Sequence, residues 1–155
     1  MDKGTRGEAA VHVDAPPETV YAVVSDVTRM GEWSPETVRC EWLGGATGPA
    51  VGAKFKGSNK RGIARWSTTP TVVVADAGRE FAFVVDDTTK WSFRCDSDGG
   101  GTRLTESFEM LASMPRRYVL AERYIMRVKD RKADLERAMA ETIGRIKVAV
   151  EAAPA

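Results

Sequence analysis

Cysteine and histidine are almost missing from this 155-residue chain, which has two of the first, Cys40 and Cys95, and one of the second, His12. Two cysteines build no disulfide framework, and neither has a Cys or His at the close spacing a zinc site requires. Both are read as small buried apolar residues. A Ser/His/Asp triad would depend on His12, which lies on the first strand in the phase opposite Val11 and Val13 and is expected to be exposed. The inventory leaves only scattered carboxylates for a metal, so no metal site and no cofactor are expected.

An excess of charge of either sign is equally lacking, with 23 basic against 22 acidic residues. No global field points to nucleic acid, a membrane surface or a highly charged substrate. Nucleic-acid binding would want a net positive domain with exposed aromatics, and none is expected. No segment approaches the roughly 20 apolar residues needed to span a bilayer, so stable membrane insertion is not expected. "MDKGTRGEAA" has no apolar core of the signal-peptide kind, which makes the cytoplasm the expected compartment. The length suits one domain over 1–155, with its core from about 8 to 150.

What is present is ordered. "EAAVHVDA" alternates as a strand does, and "APPETVYAVVSDV" follows with Pro at a first helical turn and Val20, Val23, Val24 and Val27 at helical spacing. Regularity breaks near "RMGEWSPE", at Gly31 and Pro35, which places Trp33 on an irregular segment. From about Val38 to Leu111 the chain reads as six antiparallel strands, separated by "GGATGP", "NKRG", "DAGRE", "DDTTK" and "DSDGGG". Gly99–Gly101 and the pair Asp86–Asp87 are turn residues: a phosphate loop would have to open a helix, and "GGGTR" opens a strand. Arg116 to Ala152 contain no proline and carry Tyr118, Ala121, Ile125, Val128, Leu135, Met139, Ile143, Ile146 and Val150 at helical spacing. This predicts one long amphipathic helix, with a kink or interruption placed near "VKDRKAD", and only the tail "EAAPA" loose. Its Arg116, Arg117, Arg123, Arg127, Lys129, Arg131 and Lys132 interleave with Glu122, Asp130, Asp134 and Glu136, as on a solvated face. Weak contact with anionic lipid or a partner protein is the other reading of that run. An antiparallel sheet with one hidden face and a helix with one apolar stripe are best satisfied by an α+β domain, a curved sheet wrapped around the helix.

Alternation assigns the inner face. It carries Trp91, Phe93 and Cys95; Phe81, Phe83 and Val85; Leu104, Glu106, Phe108 and Met110; Trp66, Thr68, Val72 and Val74, with Pro70 marking a bulge or edge; Phe55, Gly57 and Asn59; and Val38, Cys40 and Trp42. Glu106, Asn59 and Thr68 are the polar exceptions on a face rich in aromatics. A mostly apolar pocket with a few placed polar groups is the composition of a small-molecule site, whereas a solid core rarely admits a carboxylate without a partner. Three explanations of Glu106 stand open: it lines a cavity, it pairs with Arg123 or Arg127, or the register is off by one.

The strings "VHVDAPPETVYAVVSDVTRMGEWSPE", "RWSTTPTVVVADAGREFAF" and "GGGTRLTESFE" resemble the START-like (SRPBCC) superfamily, in particular its bacterial polyketide cyclase/dehydrase and lipid-transport type, from about Ala9 to Val150. The resemblance implies a helix-grip fold: a curved seven-stranded antiparallel sheet around a long C-terminal helix, with two short helices after the first strand. It also implies a cavity between sheet and helix that takes lipids, polyketides or other apolar molecules, with the Trp33 segment near its mouth. Through the inward register, the expected lining is Trp33, Phe55, Asn59, Trp66, Thr68, Phe83, Trp91, Phe93, Glu106, Phe108 and Tyr124. Tyr124 would donate a hydrogen bond to a ligand carbonyl, or would pack at the helix interface.

The leading functional expectation is a non-enzymatic protein holding one hydrophobic or amphipathic small molecule. An aromatase/cyclase-type enzyme with Glu106 as acid/base is the alternative, and a regulatory interaction protein with a closed cavity is the third. A homodimer is compatible with any of them.

Overall fold

A computed structural model describes residues 1–153. β1 (Arg6–Val13) alternates exposed and covered side chains up to the buried Val13. Pro16 and Pro17 then open α1 (Pro17–Val24), whose Val20, Tyr21 and Val24 are buried. A 3-10 turn over Val27–Glu32 follows, begun by Asp26, whose side chain accepts from Thr28 N at 3.1 Å. Trp33 closes it and is buried in the main core cluster. Gly31 lets this turn lie against the next strand, since a Cβ there would stand 2.2 Å from the Val38 carbonyl oxygen.

Seven strands follow, not six: β2 (Thr37–Trp42), β3 (Phe55–Arg61), β4 (Ala64–Thr68), β5 (Thr71–Asp76), β6 (Glu80–Val85), β7 (Thr89–Asp98) and β8 (Gly101–Met110). The total is therefore eight rather than seven, because "ARWSTTPTVVV" is cut in two at Pro70, which has no N–H to continue a ladder. The strands form two antiparallel sheets, β1-β8-β7-β6-β5 and β2-β3-β4. They meet where residues 52–55 run beside the start of β5, through Val72 N to Ala53 O at 2.8 Å and Phe55 N to Pro70 O at 3.2 Å.

A second departure lies in β2. Its register shifts between Thr37 and Arg39, and the bulge turns Val38 outward at 61% exposure instead of onto the inner face with Cys40.

The C-terminal helix is two helices, α2 (Arg116–Tyr124) and α3 (Arg131–Ala152), with Arg127 in the left-handed region at φ 56° between them. The interruption foreseen near "VKDRKAD" occupies Ile125 to Asp130, and α3 restarts where the Asp130 carboxylate accepts from Ala133 N at 3.1 Å. Leu135, Met139, Ile143, Ile146 and Val150 form the buried stripe of α3, which packs on β1, with β8 and α1 beside it. Tyr118 and Ile125 do not join that stripe and remain half exposed. Of the tail expected to be loose, Glu151 and Ala152 belong to α3, and Pro154 and Ala155 lie outside the described residues.

Candidate functional site

Glu106 sits at the middle of β8, opposite Ala9 on β1 and Phe93 on β7. Its register neighbours Leu104 and Phe108 are buried, so the inward register holds. The two belong to different core clusters. Leu104 packs with Phe93, Ile143 and Ile146, and Phe108 packs with Met110, Leu135 and Met139. Glu106 thus marks the seam between the two halves of the interior.

Glu106 is 7% exposed, and its Oε2 is buried with no hydrogen-bond partner among the described residues. Pairing with Arg123 or Arg127 is not formed: both are exposed, on α2 and in the α2–α3 connection, and no ion pair among the described residues reaches Glu106. Burial in apolar surroundings, with no cation to offset it, pushes the pKa well above the ordinary 4.5. In its protonated form, which burial favours, such a carboxyl is a hydrogen-bond donor as well as an acceptor.

The other expected lining residues fall into three groups. Phe55, Phe83, Phe93 and Phe108 are buried and Trp91 is half-buried. Edge-to-face and tilted contacts link Trp42, Phe55, Phe83 and Phe81 at 5.7, 5.2 and 5.8 Å, carrying the apolar interior from the small sheet into the large one. Trp91 meets Phe108 at 5.7 Å beside Glu106. Asn59, Trp66 and Thr68 share one face of the small sheet, because Asn59 pairs with Trp66 and Gly57 with Thr68. All three are half-buried, and Asn59 Oδ1 accepts from the Thr37 hydroxyl at 2.9 Å. Tyr124 stands apart, 70% exposed on α2.

Two recesses open at the surface. One of about 360 Å³ lies between Ala22, Ser25 and Thr28 on one side and Trp42 and Pro49 on the other. The second, about 270 Å³, lies along Val38, Asn59 and Trp66.

A feature that sequence reasoning missed closes the other end of the grip. Arg131 donates to Glu36 at 2.7 and 3.1 Å and to Asp134 at 2.7 Å, and its Nε lies 3.4 Å from Glu122. Arg61, at the end of β3, donates to the same Asp134 oxygen at 2.7 Å and to Glu36 at 3.4 Å. Two arginines and three carboxylates therefore bind the small sheet, α2 and the start of α3 together. Their side chains are mostly buried, Arg131 at 13% and Asp134 at 9% exposure. The run expected to be a solvated face is thus split, with Glu122, Arg131 and Asp134 turned inward. The one sequence signal was the Asp130 cap, which fixes where α3 begins and hence which side Arg131 and Asp134 face.

His12 is exposed, as its phase implied, but it is not idle. Its Nδ1 lies 2.9 Å from Asp98 and its Nε2 3.4 Å from Asp14, and these hydrogen bonds raise its pKa above 6.5. A raised folded-state pKa gives stabilisation that is complete below the unfolded value and is lost as pH rises through the folded one. We expect the difference in melting temperature between the wild type and His12→Gln to be largest below pH 6.5 and to shrink in mildly alkaline buffer. A difference that does not change with pH would show that the imidazole gains nothing from its carboxylates.

Nucleophiles are poor. Burial raises the Cys40 thiol to about 11 and the Cys95 thiol to about 12, so neither supplies a thiolate at neutral pH. Among the described residues no three His, Cys, Asp or Glu side chains come together as a metal set.

The chain belongs to the polyketide cyclase/dehydrase and lipid transport family, which matches residues 5–151. It is 33% identical to the polyketide-cyclase-like protein Cgl2372 from Corynebacterium glutamicum, over 98% of this chain and 92% of that one, with a TM-score of 0.60. The fold is shared with the Zhui aromatase/cyclase from Streptomyces sp. R1128, at 17% identity over 95% and 93% of the two chains and a TM-score of 0.70. It is shared as well with an AHSA1-like protein from Aeromonas hydrophila, at 21% identity over 96% and 93% of the two chains and a TM-score of 0.64. No functionally curated protein is detectably similar. The expected helix-grip architecture of the START-like superfamily is the one observed, and no described helix is long and apolar enough to cross a membrane.

Proposed function

We propose that this protein binds one hydrophobic or amphipathic small molecule, polyketide-like or lipid-like, between the inner face of its sheets and α3. The observation that carries this reading is the Glu106 carboxyl: buried, unpartnered at Oε2, and set between two apolar clusters. A buried polar group without a partner costs about 1–3 kcal/mol, and a ligand oxygen accepting from the neutral carboxyl recovers it. Phe93, Phe108 and Trp91 supply the apolar walls, and Asn59, Trp66 and Thr68 line the route along the small sheet. Because Phe93 and Phe108 are themselves closely packed, the ligand enters by parting the seam between the clusters.

Native mass spectrometry of freshly purified protein, followed by denaturing extraction, tests this directly. A stoichiometric apolar molecule is expected, kept in Glu106→Gln and weakened in Glu106→Leu, which can no longer hydrogen-bond. Protein that emerges empty and is not thermally stabilised by a lipid and polyketide panel would instead favour a closed interaction domain.

One observation favours a catalytic variant of the same site. A carboxyl whose pKa burial raises well above the ordinary 4.5 is equipped to act as general acid and then as base toward a poly-keto chain, and the shared fold of the Zhui aromatase/cyclase makes cyclisation the reaction to assay. Retained binding with lost turnover in Glu106→Gln would separate this reading from simple carriage.

A further inference from the structure

No side chain of α2 joins either apolar core cluster. Its outward surface carries Val119, Leu120 and Tyr124, continued by Ile125, all between 40% and 70% exposed. Among them stand Arg116, Arg117 and Arg123, followed by Arg127 and Lys129. The one acid between Arg116 and Lys129, Glu122, is turned inward to Arg131, so this stretch presents cations and apolar side chains outward. Arg117 and Arg123 lie against the rings of Tyr118 and Tyr124 at 5.0 and 5.9 Å, holding cation and ring side by side.

A second, independent feature lies at the same end. The β3–β4 turn carries Ile63 at its tip, 87% exposed, with Lys60 and Arg65 exposed on either side. Arg61 ties that turn to Asp134 at 2.7 Å, and Arg131 ties Asp134 to the side of α2. One end of the grip therefore presents two apolar projections set among cations, braced against each other from behind.

We infer that this end docks on an anionic lipid bilayer. The side chains of Leu120, Tyr124, Ile125 and Ile63 enter the headgroup boundary, and the arginines lie against the lipid phosphates. Nucleic acid would use the cations but leave exposed aliphatic side chains with no partner, and a helix interleaving both kinds on its outer face fits a lipid interface. This surface is separate from Glu106, and the inference stands whether or not the interior holds a ligand.

The test is flotation of the purified protein with empty vesicles. Phosphatidylcholine vesicles containing phosphatidylglycerol should retain it, those of phosphatidylcholine alone should not, and added salt should release it. Replacing Arg116, Arg117 and Arg123 together by Gln should lower partitioning about 100-fold, and Ile63→Ser with Leu120→Ser about tenfold. These positions are exposed, so unchanged melting temperatures in both variants separate loss of docking from loss of fold. Failure to float with anionic vesicles, or retention unaffected by either variant, would overturn the inference. So would release of a dimer to monomer by Ile63→Ser and Leu120→Ser without any vesicle binding, since the surface would then serve self-association.

Discussion

Glu106→Leu should make this protein more stable, by about 1–3 kcal/mol at neutral pH, with the melting temperature rising by about 2–4 °C for each kcal/mol. The physical reason is the mismatch between a carboxyl and its site. Ala9, Phe93, Leu104 and Phe108 surround a group whose Oε2 makes no hydrogen bond, and leucine brings to that place a side chain of similar size with nothing to desolvate. The pH dependence gives a sharper signature. Above pH 4.5 the unfolded chain releases the Glu106 proton while the folded protein, whose carboxyl titrates well higher, keeps it. Stability credited to this group therefore falls as pH rises through that interval, with a limiting slope of about 1.4 kcal/mol per pH unit. Both Glu106→Leu and Glu106→Gln should remove that slope in urea titrations run at several pH values. A destabilised leucine variant, together with wild-type stability that climbs with pH, would show instead that the carboxylate is ionised and well partnered. If the expected gain appears alongside loss of ligand, Glu106 is a residue that costs the fold and serves the site.

The opposite sign is expected at the other end of the grip. Arg131→Met should cost about 3–5 kcal/mol in chemical denaturation. It removes the cation shared by Glu36, Asp134 and Glu122 and leaves three inward-facing carboxylates with Arg61 as their nearby counter-charge. Glu122 is already raised by burial, and Arg131, ahead of the N-terminal ammonium, is the charge that most pulls it back. The loss should shrink in acid, where the orphaned carboxyls take up protons, and Glu122→Gln added to Arg131→Met should restore part of it. A loss under about 1 kcal/mol, the level of an exposed pair, would mean that water reaches the cluster freely.

The strands and their faces were legible because each turn carries its own residues and each strand its own alternation. Leu104, Glu106 and Phe108 fall inward as the period of two requires, which is why alternation alone marks a buried carboxylate. The errors share one origin, in backbone events that leave the pattern of side chains intact. "ARWSTTPTVVV" keeps its apolar phase on both sides of Pro70 although the ladder stops there. The bulge at Val38 inserts a residue without a glycine to announce it. Tyr118, Ala121, Ile125 and Val128 continue the heptad-like spacing of α3 although Arg127 breaks the helix with neither proline nor glycine. The ion cluster was out of reach for another reason: Glu36, Arg61, Glu122, Arg131 and Asp134 come from four separate stretches, and only the folded chain brings them together.

The two cysteines, set aside above as chemically inert, divide between the sheets. Cys40 lies on β2 in the three-stranded sheet, and Cys95 on β7 in the five-stranded one. Both are buried and held as thiols at neutral pH, so an alkylating reagent reaches each only when its own sheet opens. The chain thus carries two internal clocks. Labelling at Cys40 counts departures of the small sheet from the grip, labelling at Cys95 counts openings of the large one, and the ratio of the two rates tells whether the protein breathes by one jaw or comes apart as a whole.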